Sequence, residues 1–165
     1  MQSDLAAVVR KPSGYRAGLQ AGLTIAIGYV PIALTFGLLG KSTGLSFVET
    51  VAMSVIVFAG ASQFLALNLI ALGTTGLEII LATFIINLRQ LLFSASINEK
   101  SSGSSLLARA LYAFGITDET FTVAMTSDKN LTASYMFGLE TMAYGSWVVF
   151  SGAGFYVGAA LPGVL

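Results

Sequence analysis

Long stretches without charge are the feature that most constrains the fold of this chain. No charged residue occurs in 17–40, 50–77 or 141–165. A helix needs about 20 apolar residues to cross the ~30 Å hydrocarbon layer of a bilayer. Only 10% of the residues are charged, whereas soluble domains carry about 25%. The sequence therefore predicts an all-α integral membrane protein that sits in a lipid bilayer.

About five hydrophobic segments fill the chain, and together they predict a single transmembrane domain over residues 1–165. Their approximate bounds are Arg16–Leu39, Phe47–Leu72, Thr75–Ile97, Leu106–Met125 and Thr132–Leu161. Residues 1–15 form a short N-terminal tail. The first segment exceeds the roughly 7–15 apolar residues of a signal peptide, so we expect it to remain as the first helix.

Composition excludes several classes of function. The formal net charge is zero and the chain has no Cys and no His. Nucleic-acid binding would need a basic surface, and soft metal sites would need Cys or His ligands. Nucleophile pairs that use His are also excluded. We expect no nucleic-acid partner, no metal, no cofactor and no enzymatic activity.

Small residues in segment 1 predict close helix packing. Gly14, Gly18 and Gly22 recur every four residues on one helix face, and this spacing lets helix backbones approach. Pro31 removes a backbone donor in the middle of the segment, so we predict a kink or hinge there.

Segment 2 interrupts its apolar run with VFAGASQF, residues 57–64. One interpretation is a single helix with a small-residue packing face. The other is two half-helices joined at Gly60–Ser62, which would form a re-entrant hairpin. Gly-interrupted hydrophobic segments often mark transporter substrate sites. The second interpretation makes Gly60 a hinge, and it makes Gly60, Ser62 and Gln63 substrate-binding residues.

The number of basic residues on each side of the membrane distinguishes the two topologies. With five crossings and the N-terminus inside, the inside set is Arg10, Lys11, Arg16 and Lys129, against Lys41, Lys100 and Arg109 outside. If segment 2 re-enters, the inside set becomes Arg10, Lys11, Arg16, Lys100 and Arg109, and only Lys41 and Lys129 remain outside. The positive-inside rule favours the second count, and both topologies stay open.

Segment 3 carries Arg89 in INLRQLLF, close after Asn87. A buried guanidinium needs acceptors. We therefore predict that Arg89 contacts a substrate carboxylate or an acid on segment 4, with Asn87 as a second substrate-binding residue. The alternative is that Arg89 extends to a nearby membrane interface.

Segment 4 holds Asp118 and Glu119 in GITDETF. A charge at the bilayer centre costs about 2.5–3.5 kcal/mol, so the pair should face water or a partner, or hold a proton. Thr117 can cap a new half-helix whose first turn contains both acids, which makes segment 4 discontinuous. We predict roles in proton coupling or substrate-amine binding, with Asp118 the more buried; the alternative is a surface loop. Other acids expected at membrane interfaces are Glu49, Glu78 and Glu140.

Four stretches together resemble the AzlC family, the large subunit of branched-chain amino acid exporters. They are GYVPIALTFG (28–37), TGLSFVETVAMSVIVFAGASQF (43–64), NLRQLLF (87–93) and TDETF (117–121). The family more often has His where Gln90 stands, and its members usually continue with further hydrophobic segments. The resemblance implies export of Val, Leu, Ile and Met, and a separately encoded small membrane subunit of the AzlD type.

These observations combine into an expected function. The chain would be a proton-coupled secondary transporter subunit in the inner (plasma) membrane, multi-pass, with a cytoplasmic N-terminus. It would bind a small amino acid substrate and could form homo-oligomers. The alternatives are a channel-like pore and a transport-inactive assembly subunit.

Overall fold

A computed structural model describes residues 14–101, 103–127 and 131–160 of the chain. These residues form seven helices: α1 (Tyr15–Ser42), α2 (Phe47–Ile56), α3 (Gly60–Ala71), α4 (Gly76–Lys100), α5 (Leu106–Phe114), α6 (Asp118–Met125) and α7 (Ala133–Ala160). The five predicted segments are present. Of the two interpretations of segment 2, the one with two half-helices is confirmed, and so is the predicted break in segment 4. Most of the predicted N-terminal tail lies outside the described residues.

Helices α1 and α7 run in the same direction and touch through their backbones. A Cβ on Gly18 would overlap the backbone of Tyr135, and a Cβ on Gly37 would overlap that of Ser151. Later residues of α1 therefore lie against later residues of α7, so the two helices are parallel. The predicted packing face is thereby confirmed at Gly18, and Gly22 likewise lies against Leu139.

Helices α2 and α3 form a hairpin that enters and leaves at one end of the molecule. We call the end that holds the first turn of α1 the N side, and the opposite end the C side. Helix α2 begins on the C side, where Thr50 packs against Gly40. Helix α4 ends on the N side, where Lys100 O accepts a hydrogen bond from Leu131 N (3.3 Å), just before α7. Because α4 spans about 37 Å, it starts on the C side, and so α3 ends there.

Helices α5 and α6 form a second hairpin, which enters and leaves on the N side. Early in α5, Arg109 Nη1 donates to Asn98 Oδ1 (2.7 Å). At the end of α6, Lys100 Nζ donates to Met125 O (2.9 Å). Both ends of this hairpin therefore lie against the last turns of α4.

The two returning hairpins correct the predicted topologies. If segment 2 alone re-entered the membrane, α7 would run opposite to α1, and Lys129 would lie on the side of Lys41. That arrangement is wrong, because the α5–α6 hairpin also returns. Five simple crossings would leave α1 and α7 parallel, but they are wrong because segments 2 and 4 each return to the end at which they begin. The two hairpins enter from opposite ends, so their tips meet between α1, α4 and α7.

Two of the described helices, α1 and α4, are apolar and long enough to cross a membrane. Helix α1 continues through Pro31, and Thr35 Oγ1 donates to Pro31 O (2.8 Å). The hinge at Pro31 therefore stays a prediction. The chain is an all-α membrane protein in which two half-helix hairpins pack beside three long helices.

Candidate functional site

A cavity of about 240 Å³ lies where the two hairpin tips meet. At roughly 30 Å³ per liquid water, it could hold about eight water molecules, which is comparable with one small amino acid. Its lining combines aromatic, small and charged side chains: Tyr29, Ile32, Phe58, Ala59, Gly60, Ala61, Phe64, Arg89, Gln90, Thr117, Asp118, Glu119 and Trp147. Every long helix and both hairpins contribute to it.

Arg89 and Asp118 form an ion pair in this lining. Arg89 Nη2 lies 2.7 Å from Asp118 Oδ2, and the two side chains are 39% and 46% exposed. The predicted contact between Arg89 and an acid of segment 4 is therefore present. Arg89 Nε is buried and has no hydrogen-bond partner in the described part of the chain, which leaves this guanidinium with capacity for a further acceptor.

Glu119 is held by Tyr29 of α1. Tyr29 Oη donates to Glu119 Oε2 (2.6 Å) and lies 2.8 Å from Thr117 Oγ1. Glu119 is exposed, whereas Asp118 is half-buried. This agrees with the prediction that Asp118, which has the shorter side chain, is the more buried of the two. Sequence reasoning did not find Tyr29, because a lone tyrosine in an apolar helix carries no pattern.

Helix α6 restarts at the tip of its hairpin as predicted. Thr117 is the N-cap residue, and Thr120 N donates to its hydroxyl (3.3 Å). Thr117 N in turn donates to Thr120 Oγ1 (2.7 Å). This reciprocal cap places Asp118 and Glu119 in the first turn, where carboxylates interact favourably with the helix dipole.

The other hairpin bends before Gly60, not at Gly60–Ser62 as predicted. Helix α2 ends at Ile56 and α3 begins at Gly60, so residues 57–59 form the break. Phe58 has φ 40°, a conformation unusual for a residue with a side chain. Gly60 has a different role, because a Cβ there would lie 3.0 Å from the Trp147 indole. The small residue gives the indole room beside the cavity.

Ser62 and Gln63 lie behind the cavity wall and hold the hairpin tip. Ser62 Oγ donates to Ala59 O (2.9 Å). Gln63 Oε1 accepts from Ala59 N (3.2 Å) and from Trp147 Nε1 (3.0 Å). Both side chains are fully buried, and neither lines the cavity. Their proposed contact with substrate stays a prediction.

Asn87 is half-buried on α4 and is not among the residues that line the cavity. Gln90, one residue after Arg89, does line it. The predicted role of Asn87 in binding stays untested.

Two helix N-termini meet at the cavity. Residues 59–61 at the start of α3 and residues 117–119 at the start of α6 both line it. The first N–H groups of a helix lack partners within it and favour an anion. The start of α3 carries no acid in its first turn and no side-chain cap, whereas α6 carries two acids. The cavity lining therefore combines a helix start without an acid, which suits an anion, with a helix start that carries two carboxylates, which suit a cation.

The three acids expected at interfaces divide into two kinds. Glu49 and Glu78 are exposed and close capping boxes with Ser46 and Thr75. Glu140 contradicts the expectation, because it is only 7% exposed on α7. Within the described residues no group of three or more His, Cys, Asp or Glu side chains could hold a metal ion.

Comparison with known proteins places these residues in a family. The pattern of the AzlC protein family matches residues 24–161. An uncharacterized membrane protein of Archaeoglobus fulgidus is 35% identical over 151 residues, which cover 92% of this chain and 66% of that protein. The inner membrane protein YgaZ of Escherichia coli is 30% identical over 152 residues, 89% of this chain and 62% of that protein.

A named transport protein is among the more distant relatives. The branched-chain amino acid transport protein AzlC of Bacillus subtilis is 24% identical over 156 residues, 92% of this chain and 58% of that protein. No solved structure matches the chain. The chain thus spans about three-fifths of the length of these curated relatives.

Proposed function

The chain belongs to the AzlC family, and we propose that it is a transporter subunit that exports branched-chain amino acids by secondary transport. The substrates would be Val, Leu, Ile and Met. The observation that carries this proposal is the cavity between the two hairpin tips, with its ion pair and its two helix N-termini. Such half-helix sites at mid-membrane depth are typical of secondary transporters.

The substrate zwitterion would insert between Arg89 and Asp118. Its carboxylate would bind Arg89 and the free N–H groups at the start of α3, and its ammonium would bind Asp118 or Glu119. One ion pair is thereby replaced by two, so each buried charge keeps a partner. The apolar side chain would pack against Ile32, Phe64 and Trp147, which line the same cavity.

Orientation in the membrane follows from the hairpin topology and the basic residues. Among the described residues, Arg16, Lys100 and Arg109 lie on the N side. Of the other described basic residues, Lys41 lies on the C side and Arg89 lines the cavity. By the positive-inside rule, we propose a cytoplasmic N side in the inner (plasma) membrane.

The proposal also includes a driving ion and partner subunits. An exporter that accumulates substrate outside needs a driving ion, and we propose the proton. We also propose that a small AzlD-type membrane subunit completes the transporter, and homo-oligomers are compatible with it. Much of α4 supports such contacts with lipid or protein, since Ile97 is its one buried residue in the described chain.

Amino acid counterflow in proteoliposomes tests the proposal. The full chain would be reconstituted with and without the small subunit, and labelled leucine uptake would be measured into vesicles preloaded with unlabelled leucine. We expect saturable uptake that depends on the preloaded substrate. Uptake that does not saturate would indicate the channel-like pore instead. Complete absence of uptake with the small subunit present would favour a transport-inactive assembly role.

A further inference from the structure

A second polar site lies on α7, apart from the substrate cavity. Glu140 is 7% exposed, and its Oε1 is buried without a hydrogen-bond partner in residues 14–101, 103–127 and 131–160. It lies seven residues before Trp147, which corresponds to about 10 Å along the helix towards the N side. The substrate cavity does not include it.

Glu140 packs against the tip of the α5–α6 hairpin. A Cβ on Gly115 would overlap the Glu140 carboxyl group. Gly115 also terminates α5, and its carbonyl accepts a hydrogen bond from Thr120 Oγ1 (3.1 Å). The carboxyl group therefore touches the backbone that positions Asp118 and Glu119, only three and four residues further on.

A cavity of about 180 Å³ adjoins this carboxyl group. Phe114, Leu111 and Phe137 supply apolar walls, and no Lys or Arg lines it among the described residues. Its other polar side chains are already engaged. Thr141 Oγ1 donates to Phe137 O (2.6 Å), and Tyr144 Oη donates to Val55 O (2.9 Å).

The titratable groups on the hairpin that packs against α7 have partners elsewhere. On α5, Arg109 bonds to Asn98 and Tyr112 Oη donates to Ser101 Oγ (3.0 Å). On α6, Asp118 pairs with Arg89 and Glu119 with Tyr29. None of these groups neutralises Glu140.

The same holds for the other helices packed against α7. On α1, Tyr15 bonds to Thr141, Tyr29 bonds to Glu119, Arg16 is exposed, and Lys41 lies over the Phe155 ring. On α2, Glu49 bonds to Ser46. An ionised carboxylate that is buried without a partner is strongly unfavourable. A bound proton removes this charge without any further ligand.

We propose that Glu140 is the proton-binding site that couples the proton gradient to movement of the α5–α6 hairpin, an inference that rests on the proposed transport function. The carboxylate takes a proton from water and becomes a neutral acid, which packs against Gly115. Release of that proton to water restores the charge, and the charged group then requires solvent. Hairpin packing and protonation are therefore linked, and the hairpin carries the acids that hold the substrate ammonium.

The proton fits this site better than a metal cation. Hard cations take roughly six or more oxygen ligands. Beside the Glu140 carboxyl group, the described cavity lining offers only the hydroxyl oxygens of Thr141 and Tyr144, too few to surround an ion.

The test compares Glu140→Gln with the matched control Glu78→Gln, whose carboxylate is exposed in a capping box. Leucine counterflow without a gradient and leucine accumulation driven by a pH gradient would be measured in the same proteoliposomes. For Glu140→Gln we expect counterflow within about twofold of wild type and driven accumulation reduced at least about tenfold. Retained driven accumulation, an equal fall of both activities, or a requirement for Na⁺ instead of the pH gradient would overturn the inference.

A second measurement does not depend on transport. Infrared spectroscopy of the purified full chain at neutral pH should show the carbonyl stretch of a protonated carboxylic acid, lost in Glu140→Gln and retained in Glu78→Gln. A wild-type spectrum without this band, or a band that persists in Glu140→Gln, would contradict proton binding at Glu140. Failure of wild-type counterflow alongside the expected spectra would instead count against the proposed transport function alone.

Discussion

The Arg89 guanidinium and the Asp118 carboxylate lie 2.7 Å apart and join the middle of α4 to the first turn of α6. This contact connects a long helix to the tip of a re-entrant hairpin. Because both side chains are more than a third exposed, the pair contributes at most about 1 kcal/mol to stability. Both residues line the cavity between the hairpin tips.

Two replacements of Arg89 should show whether transport needs only its positive charge or also the shape of its guanidinium group. We expect Arg89→Ala to lower leucine counterflow by roughly ten- to hundredfold, which corresponds to about 1.5–3 kcal/mol for a charge-assisted hydrogen bond. Arg89→Lys should not restore it, since an ammonium cannot reproduce the two-pronged contact of a guanidinium. Protein yield and melting temperature should stay close to wild type. Full activity of Arg89→Lys would reduce the role of this residue to a positive charge.

Tyr29→Phe should impair transport while it leaves the fold intact. The variant removes the hydrogen bond to Glu119 and the contact with Thr117, so both the acid and the α6 cap lose an anchor. We expect counterflow to fall by about tenfold. Tyr15→Phe is the matched control, because its hydroxyl bonds to Thr141 on the exposed surface. Equal activity of the two variants would show that Tyr29 does not position the site.

The contact between α1 and α7 should tolerate no added methyl group. A Cβ at Gly37 would overlap the backbone of Ser151, whereas nothing lies within 4 Å of the corresponding position at Gly28. We expect Gly37→Ala to destabilise the protein by about 1–3 kcal/mol and Gly28→Ala to have little effect. Thermal unfolding of the purified variants, followed by size-exclusion chromatography, measures the difference. Similar unfolding of the two would contradict the close parallel packing.

Much of the fold was predictable from local sequence. Apolar runs gave the segments, and the pattern of Thr117 before two acids gave the restart of α6. The break in segment 2 was placed three residues late, because Gly60 was taken as the flexible point. In the structure Phe58 adopts the unusual backbone, and Gly60 instead accommodates the Trp147 indole.

Other parts of the site depend on contacts that are distant in sequence. Glu140 looked interfacial because it lies near the start of an apolar run, and only the packing of α5 on α7 buries it. Ser62 and Gln63 were expected in the cavity as polar residues of an apolar segment. Their partners, Ala59 and Trp147, turn them into supports of the hairpin. Local patterns identify polar residues, whereas tertiary packing decides which of them reach the cavity.

Cysteine labelling should reveal the two re-entrant hairpins. The chain has no cysteine, so Lys41→Cys, Leu72→Cys and Leu106→Cys each introduce a single thiol at an exposed position. We expect the first two to react with a membrane-impermeant reagent from one side, and Leu106→Cys from the other. Labelling of Lys41→Cys and Leu72→Cys from opposite sides would mean that α2 and α3 cross the membrane.

Binding of leucine to the cavity is the most direct test of the substrate site. Trp147 is the single tryptophan of the chain and lines the cavity, so its fluorescence reports on this place alone. We predict a saturable change in Trp147 emission when leucine is added to the purified full chain, no change with leucinamide, which lacks the carboxylate, and a loss of the response in Arg89→Ala. An absent response in the wild type, or an undiminished one in Arg89→Ala, would contradict the account.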